Sequence, residues 1–109
     1  MPIGCNGWYL RGKKKNKYDQ QPVDVAYMVC CLEQAYLATD DKYYLDWASK
    51  WWGWFFGNNT KGVQLIDKNG ACFDAVTDKK GGVNLNQGAE SNICFLMAYS
   101  SAKRLEITD

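Results

Sequence analysis

No histidine occurs anywhere in this chain. That absence removes a Ser-His-Asp triad, a Cys-His dyad and any His-ligated zinc site. Acid–base chemistry would fall to Asp, Glu, Lys, Tyr or Cys. An excess of one charge sign is also lacking. Thirteen basic residues face twelve acidic ones, a net charge of +1, so neither nucleic acid nor an anionic membrane is implied as a partner. No apolar run reaches the ~18 residues that a membrane span needs. No Cys-x-x-Cys pair is present among Cys5, Cys30, Cys31, Cys72 and Cys94. Cys30 and Cys31 are adjacent on a predicted helix, so their side chains diverge by about 100°. An odd set of thiols with that spacing is not a disulfide framework, and no secretory leader is read ahead of it. Free thiols in a reducing, cytoplasmic compartment are expected. With metal-ligand spacing absent as well, the sequence calls for no metal and no cofactor.

The chain has 109 residues, the size of a single domain, 1–109. About two thirds of the surface of an unfolded chain this long can be buried on folding, enough for one modest core. Apolar residues make up 47%, which argues against global disorder. Aromatic residues are abundant at 15%, and Trp47, Trp51, Trp52 and Trp54 crowd into one short stretch. Such rings can wall a core, or line a cleft and stack on a flat ligand such as a sugar ring.

Along the chain the pattern is mainly helical, with about three long helices. Residues 1–21 read as an irregular segment, broken by Gly4, Gly7 and Gly12 and carrying the basic run Lys13 to Lys17, a solvated loop. A helical hairpin is expected over 22–57. Its first helix starts at Pro22, favoured at the first helical position, with Asp24 in the first turn. Val25, Met28, Val29, Leu32 and Tyr36 follow at helical spacing, and the opposite flank is apolar too, so burial on more than one side is expected. Thr39-Asp40-Asp41 stops this helix and caps the next. There Tyr44, Trp47, Ala48, Trp51, Trp54 and Phe55 form a stripe, and Asp46 and Lys50 an i,i+4 pair. Gly57-Asn58-Asn59 supplies the end. Residues 58–85 read as a loop or small β-hairpin, because Asn69-Gly70 lies between short apolar runs. A C-terminal helix is expected over 86–105, capped by Asn84 or Asn86.

Several polar groups lie beside apolar helix surface. Asp19, Gln21 and Asp24 cluster at the mouth of the first helix, where they can cap it or face a cleft. Asn58 and Asn59 follow the tryptophans, as a C-cap or a ligand contact. Asp74 interrupts the apolar stretch Cys72 to Val76, as a turn carboxylate or a site residue. Asn86, Gln87 and Glu90 crowd the start of the last helix, more groups than capping needs. Gly88 there implies close approach by another backbone or a ligand. Amides and carboxylates beside indoles suit sugars, whose hydroxyls need hydrogen-bonding partners and whose C–H face needs an aromatic platform such as Trp54. A glycoside hydrolase would need two carboxylates about 5–10 Å apart; Asp24, Asp74 and Glu90 are the plausible members, with Asp74 and Glu90 the candidate catalytic pair.

The ordered set Gly7-Trp8-Tyr9, Tyr18-Asp19-Gln20-Gln21-Pro22-Val23-Asp24, Trp54-Phe55-Phe56-Gly57-Asn58-Asn59, Gly70-x-Cys72-Phe73-Asp74 and Asn84-x-Asn86-Gln87-Gly88-Ala89-Glu90-Ser91 resembles the all-α C-terminal region of bacterial group 1 glycosyltransferase-like proteins. That region is similar to the six-hairpin (α/α) toroids of glycoside hydrolases and sugar epimerases. The resemblance spans roughly residues 7–105. It implies a fragment of an (α/α) toroid with carbohydrate as its partner, bound or processed in a cleft. Asp19, Gln21, Asp24, Asn58, Asn59, Asp74, Asn86, Gln87 and Glu90 are its motif positions. Leu85 stands where the pattern has Arg, so no anionic contact is implied there. A toroid has twelve helices, so activity of this piece alone is not expected. The remainder of a larger protein, or self-association through open apolar edges, is. The rival expectation is a non-catalytic interaction module completing such a toroid or an oligomer.

Overall fold

The structure, a computed structural model, describes residue 2, residues 4–7 and residues 9–108. Trp8 of the first motif lies outside the described residues. Three helices dominate: α1 Pro22–Thr39, α2 Lys42–Trp52 and α3 Ala89–Arg104, with a two-residue β1 Ala75–Val76 and β2 Val83–Asn84. A 3-10 turn, Gly53–Phe55, follows α2 directly. α1 packs on both other helices, which meet each other over much less surface. The mainly helical expectation therefore holds, with one small sheet.

The first helical boundary follows its sequence signals. Gln21 is extended before Pro22, and Asp24 sits in the first turn. Asp40 ends α1 in the left-handed region (φ 55°), its N–H donating to Tyr36 O at 2.7 Å. Asp41 then caps α2, its carboxylate accepting from Tyr43 N at 2.9 Å. The buried face of α1 is Val25, Ala26, Val29 and Glu33, whereas Tyr27, Met28 and Leu37 face outward.

The second helix departs from expectation. It ends at Trp52 rather than near residue 57, because the chain tightens into the 3-10 turn and swings Trp54 and Phe55 into the core. The stripe read from the sequence is thereby rearranged: Ala48 and Trp52 are buried, and Trp47 stays 38% exposed. Trp52 stacks on Phe95 of α3 with centroids 5.7 Å apart and planes at 12°. Phe55 meets the same ring edge-on at 5.1 Å. The expected Asp46–Lys50 pair is not the one formed. Asp46 instead takes Lys42 at 2.6 Å, one turn earlier, and the Lys50 ammonium lies 4.5 Å from the Trp47 ring centroid.

Between α2 and α3 the chain is held mainly by polar side chains. Asn59 donates to Trp54 O and Val63 O at 2.9 and 2.7 Å and accepts from Lys61 N and Val63 N. Asp67 to Gly70 forms a tight turn, with Asp67 accepting from Asn69 N and Ala71 N and a bridge at Ile66 and Cys72. The two-stranded sheet forms one turn later, around residues 77–82, pairing Ala75 with Asn84 and Val76 with Val83. Asn69-Gly70 thus makes a turn with a single bridge, and the positive φ of Gly81 and Gly82 serves the named hairpin.

α3 begins at Ala89, later than expected, and neither Asn84 nor Asn86 caps it. Gly88 holds the cap position without a side chain of its own. The carboxylate of Asp74 supplies the missing acceptor, taking Gly88 N at 2.8 Å and Ser91 Oγ at 2.6 Å. A Cβ on Gly88 would lie 3.1 Å from Asp74 Oδ1, so the close approach read from this glycine is that of Asp74. At the other end of α3, Arg104 clasps α1. Its guanidinium forks onto Glu33 at 2.6 and 3.0 Å, and Glu33 is only 3% exposed. The Arg104 hydrogen bond, ahead of the burial that opposes it, holds the Glu33 carboxyl below its ordinary value.

Candidate functional site

One short extended segment positions the site. Gln20 pairs with Val76 through two backbone hydrogen bonds of 2.9 Å, adding residues before α1 to the edge of β1. Its side chain points inward and is 1% exposed. Gln20 Oε1 accepts from the Trp54 indole at 3.1 Å, and Nε2 donates to Thr60 Oγ1 at 3.1 Å. Side chains alternate along an extended chain, so fixing Gln20 inward aims Asp19 and Gln21 the other way. Both open into a cavity of about 360 Å³, together with Asp74, Asn84, Glu90 and Ser91. The N-terminal ends of α1 and α3 meet there, and their partial positive charge offsets three carboxylates.

The carboxylates are not equivalent. Asp74 spends Oδ1 on Gly88 and Ser91. Asp19 accepts from Asn6 Nδ2 at 3.2 Å. Glu90, exposed in the first turn of α3, makes no side-chain hydrogen bond among the described residues. Carboxylates, amides and a hydroxyl converging on open space form a surface that can accept hydrogen bonds from several hydroxyls at once.

The other sequence candidates lie elsewhere. Trp54 is 1% exposed and offers no platform. It stands behind the site, holding Gln20, because the 3-10 turn buried it. Asn59 is consumed by its own loop, as described above. Gln87 donates to Asp67 Oδ2 at 2.7 Å, and that bond, followed by the Ala71 N–H, lowers the Asp67 carboxyl. The Asn86 carbonyl accepts from Asp74 N at 2.8 Å, and its own N–H donates to Asn84. Asp24 lines a different cavity with Lys15, Tyr27, Cys31 and Trp51, where partial burial raises its carboxyl. Asn58 borders a third, smaller space, about 180 Å³, with Trp47, Lys50, Trp51 and Trp54. Four of the candidates, Asp19, Gln21, Asp74 and Glu90, therefore converge.

Gln20, Asn84 and Ser91 stood in the sequence motifs without a site role of their own, and Asn92 was missed. Asn92 ties α3 to the loop layer, accepting from Cys72 N at 2.9 Å. No spacing marks a glutamine whose amide is buried against an indole 34 residues away. Burial, then the charge of Asp74, pushes the Cys72 thiol up to about 12, and burial also raises Cys94, which disfavours the reactive thiolate in both. Among the described residues no three His, Cys, Asp or Glu side chains are arranged to hold a metal ion. Nor is any helix among them long and apolar enough to cross a membrane. No protein-family model matches the chain, and comparison with curated proteins finds no match either.

Proposed function

We propose that the chain is a carbohydrate-binding piece of a larger helical (α/α) assembly of the glycosyltransferase-like kind, residing in the cytoplasm. Sugar hydroxyls would meet Asp19, Gln21, Asn84 and Glu90 in the cavity between the starts of α1 and α3. One observation carries the reading: residues from three separated stretches of chain bring acids and amides into a single polar cavity. Hydroxyl donors need such acceptors, and helix N-termini keep the acids from repelling one another. Binding fits better than bond cleavage. A hydrolytic pair would be Asp74 and Glu90, and Asp74 is already committed to the cap of α3. The test is a glycan-panel binding screen on the purified chain. At least one neutral glycan should bind, and Glu90→Gln and Asp19→Asn should weaken it about tenfold, the loss of one charge-assisted hydrogen bond each. No binding across the panel, or binding unchanged in both variants, refutes the reading.

A second reading, an interaction module, is favoured by a separate observation. Ile93, Leu96 and Met97 form an exposed outer stripe on α3, and Tyr27 and Leu37 extend apolar surface over α1. Scattered exposed apolar residues are ordinary, but a stripe along one helix marks an edge that another element can cover. Sedimentation velocity separates the two. A concentration-dependent dimer that Leu96→Glu dissolves supports the module, and a monomer at all concentrations removes self-association.

A further inference from the structure

We infer that the indole-walled cavity beside α2 takes a single sugar ring carrying a carboxylate. The inference does not depend on the acidic cavity, with which it shares no lining residue. Trp47 and Trp51 lie one turn apart on α2 and supply the apolar wall, with the buried Trp54 of the 3-10 turn behind them. The space is about 180 Å³, enough for one ring and its substituents rather than a chain. Trp47 remains 38% exposed, so part of its ring stays available to a ligand. C–H faces of pyranose rings stack on such indoles.

Charge selects the ligand further. Lys50 borders the cavity and no carboxylate does. The acid one turn before it, Asp46, is taken by Lys42 at 2.6 Å. Among the described residues Lys50 therefore has no anionic partner within an ion-pair distance, and its ammonium rests 4.5 Å from the Trp47 centroid. A cation resting against an aromatic ring at the cavity edge is placed to receive an anion. Asn58 also borders the cavity. Its backbone N–H donates to Gly53 O at 3.0 Å and its Nδ2 to Lys50 O at 3.5 Å, and its Oδ1 is left to accept from ring hydroxyls. An aromatic acid would satisfy the indoles and Lys50 but leave that amide facing carbon, which costs a hydrogen bond. The two cavities thus suit opposite partners, a neutral polyhydroxyl on the acidic side and a uronate-type ring on the indole side.

The test is isothermal titration of the full chain with glucuronate, glucose and benzoate, with indole fluorescence recorded in parallel. Glucuronate should saturate with a Kd on the order of 1 mM and shift the emission. Glucose and benzoate should each bind at least about tenfold more weakly, a difference of one decade in Kd. Lys50→Gln and Trp47→Ala should each weaken glucuronate about tenfold, while Lys68→Gln, in the distant Asp67 turn, should leave it unchanged. Both tested side chains are exposed, and circular dichroism of the variants verifies the fold; Lys50→Gln, which removes no buried surface, decides alone if Trp47→Ala unfolds. Failure of glucuronate to saturate, equal binding of glucose, tighter binding of benzoate, or an unchanged Kd in Lys50→Gln overturns the assignment.

Discussion

The helices and the long stretch between α2 and α3 are held by different balances of apolar burial and polar bracing. The helical side rests on apolar burial: Val25, Ala26, Val29, Phe55, Ala98 and Ala102 are fully enclosed. The stretch over residues 56–88 also encloses Leu65, Cys72 and Val76, but leans more on polar side chains. It is tied by side chains to backbone, with Asn59, Asp67, Asp74 and Asn92 each reaching across a loop or to a helix end. The contrast teaches that many amides and acids that suggest a ligand site in the sequence are bracing. In the cavity between the starts of α1 and α3, Asp19, Gln21 and Glu90 are the acids and amides the bracing leaves with most spare capacity.

This contrast can be broken in several ways, beginning where the two regions meet. Trp54→Ala should cost about 4 kcal/mol, the range for deleting a large buried ring, read by urea denaturation. Trp54→Phe, which keeps most of the volume but strands the Gln20 amide, should cost about 1–2 kcal/mol. A loss for Trp54→Ala no larger than for Trp54→Phe would show that burial is not what Trp54 contributes. Next, Asn59→Ala removes four hydrogen bonds in the brace and should cost about 2 kcal/mol. An effect within the noise would mean that the loop layer does not need its amides. Asp74→Ala removes the cap that α3 borrows, worth about 1 kcal/mol, with the loss of amide-exchange protection confined to the first turn of α3. Equal loss of protection along the whole helix would refute a capping role.

The smallest effect is the most diagnostic. Glu33 has its folded value lowered from 4.5, chiefly by the Arg104 hydrogen bond. Its stabilising contribution is thus fully present above about pH 5 and is lost as pH falls through the lowered folded value. Arg104→Met should therefore lower the denaturation midpoint at pH 7, and the gap from the parent chain should narrow below about pH 4.5. A gap independent of pH would assign the effect to the Arg104 stem rather than to the ion pair.

Legibility in the sequence followed the range of the interactions. Pro22 and Thr39-Asp40-Asp41 mark the α1 boundaries, because their chemistry acts within one turn. The end of α2 was hidden, since it depends on where Trp54 and Phe55 find their burial. The Asp46 pairing was ambiguous for a local reason: Lys42 and Lys50 both lie four residues away, and only the Trp47 ring decides between them. The cap of α3 could not be read at all, because its acceptor lies 14 residues upstream in another element. For the cavity, the acids and amides at two helix starts pointed to Asp19, Gln21 and Glu90, and the break in an apolar stretch to Asp74; all four line one space. The role given to Trp54 was misplaced by one layer, since an exposed and a buried indole look alike in a sequence.

Gln20 has a kinetic consequence. It joins Trp54 and Thr60, which lie 34 and 40 residues further along, and it also pairs with the strand at Val76. Each link closes a long segment of chain, which makes such contacts late and slow to form. A peptide excised from either rim would carry the right side chains without the joint that aims them. Grafting this recognition surface onto another scaffold would mean transplanting the glutamine and its indole along with the acids.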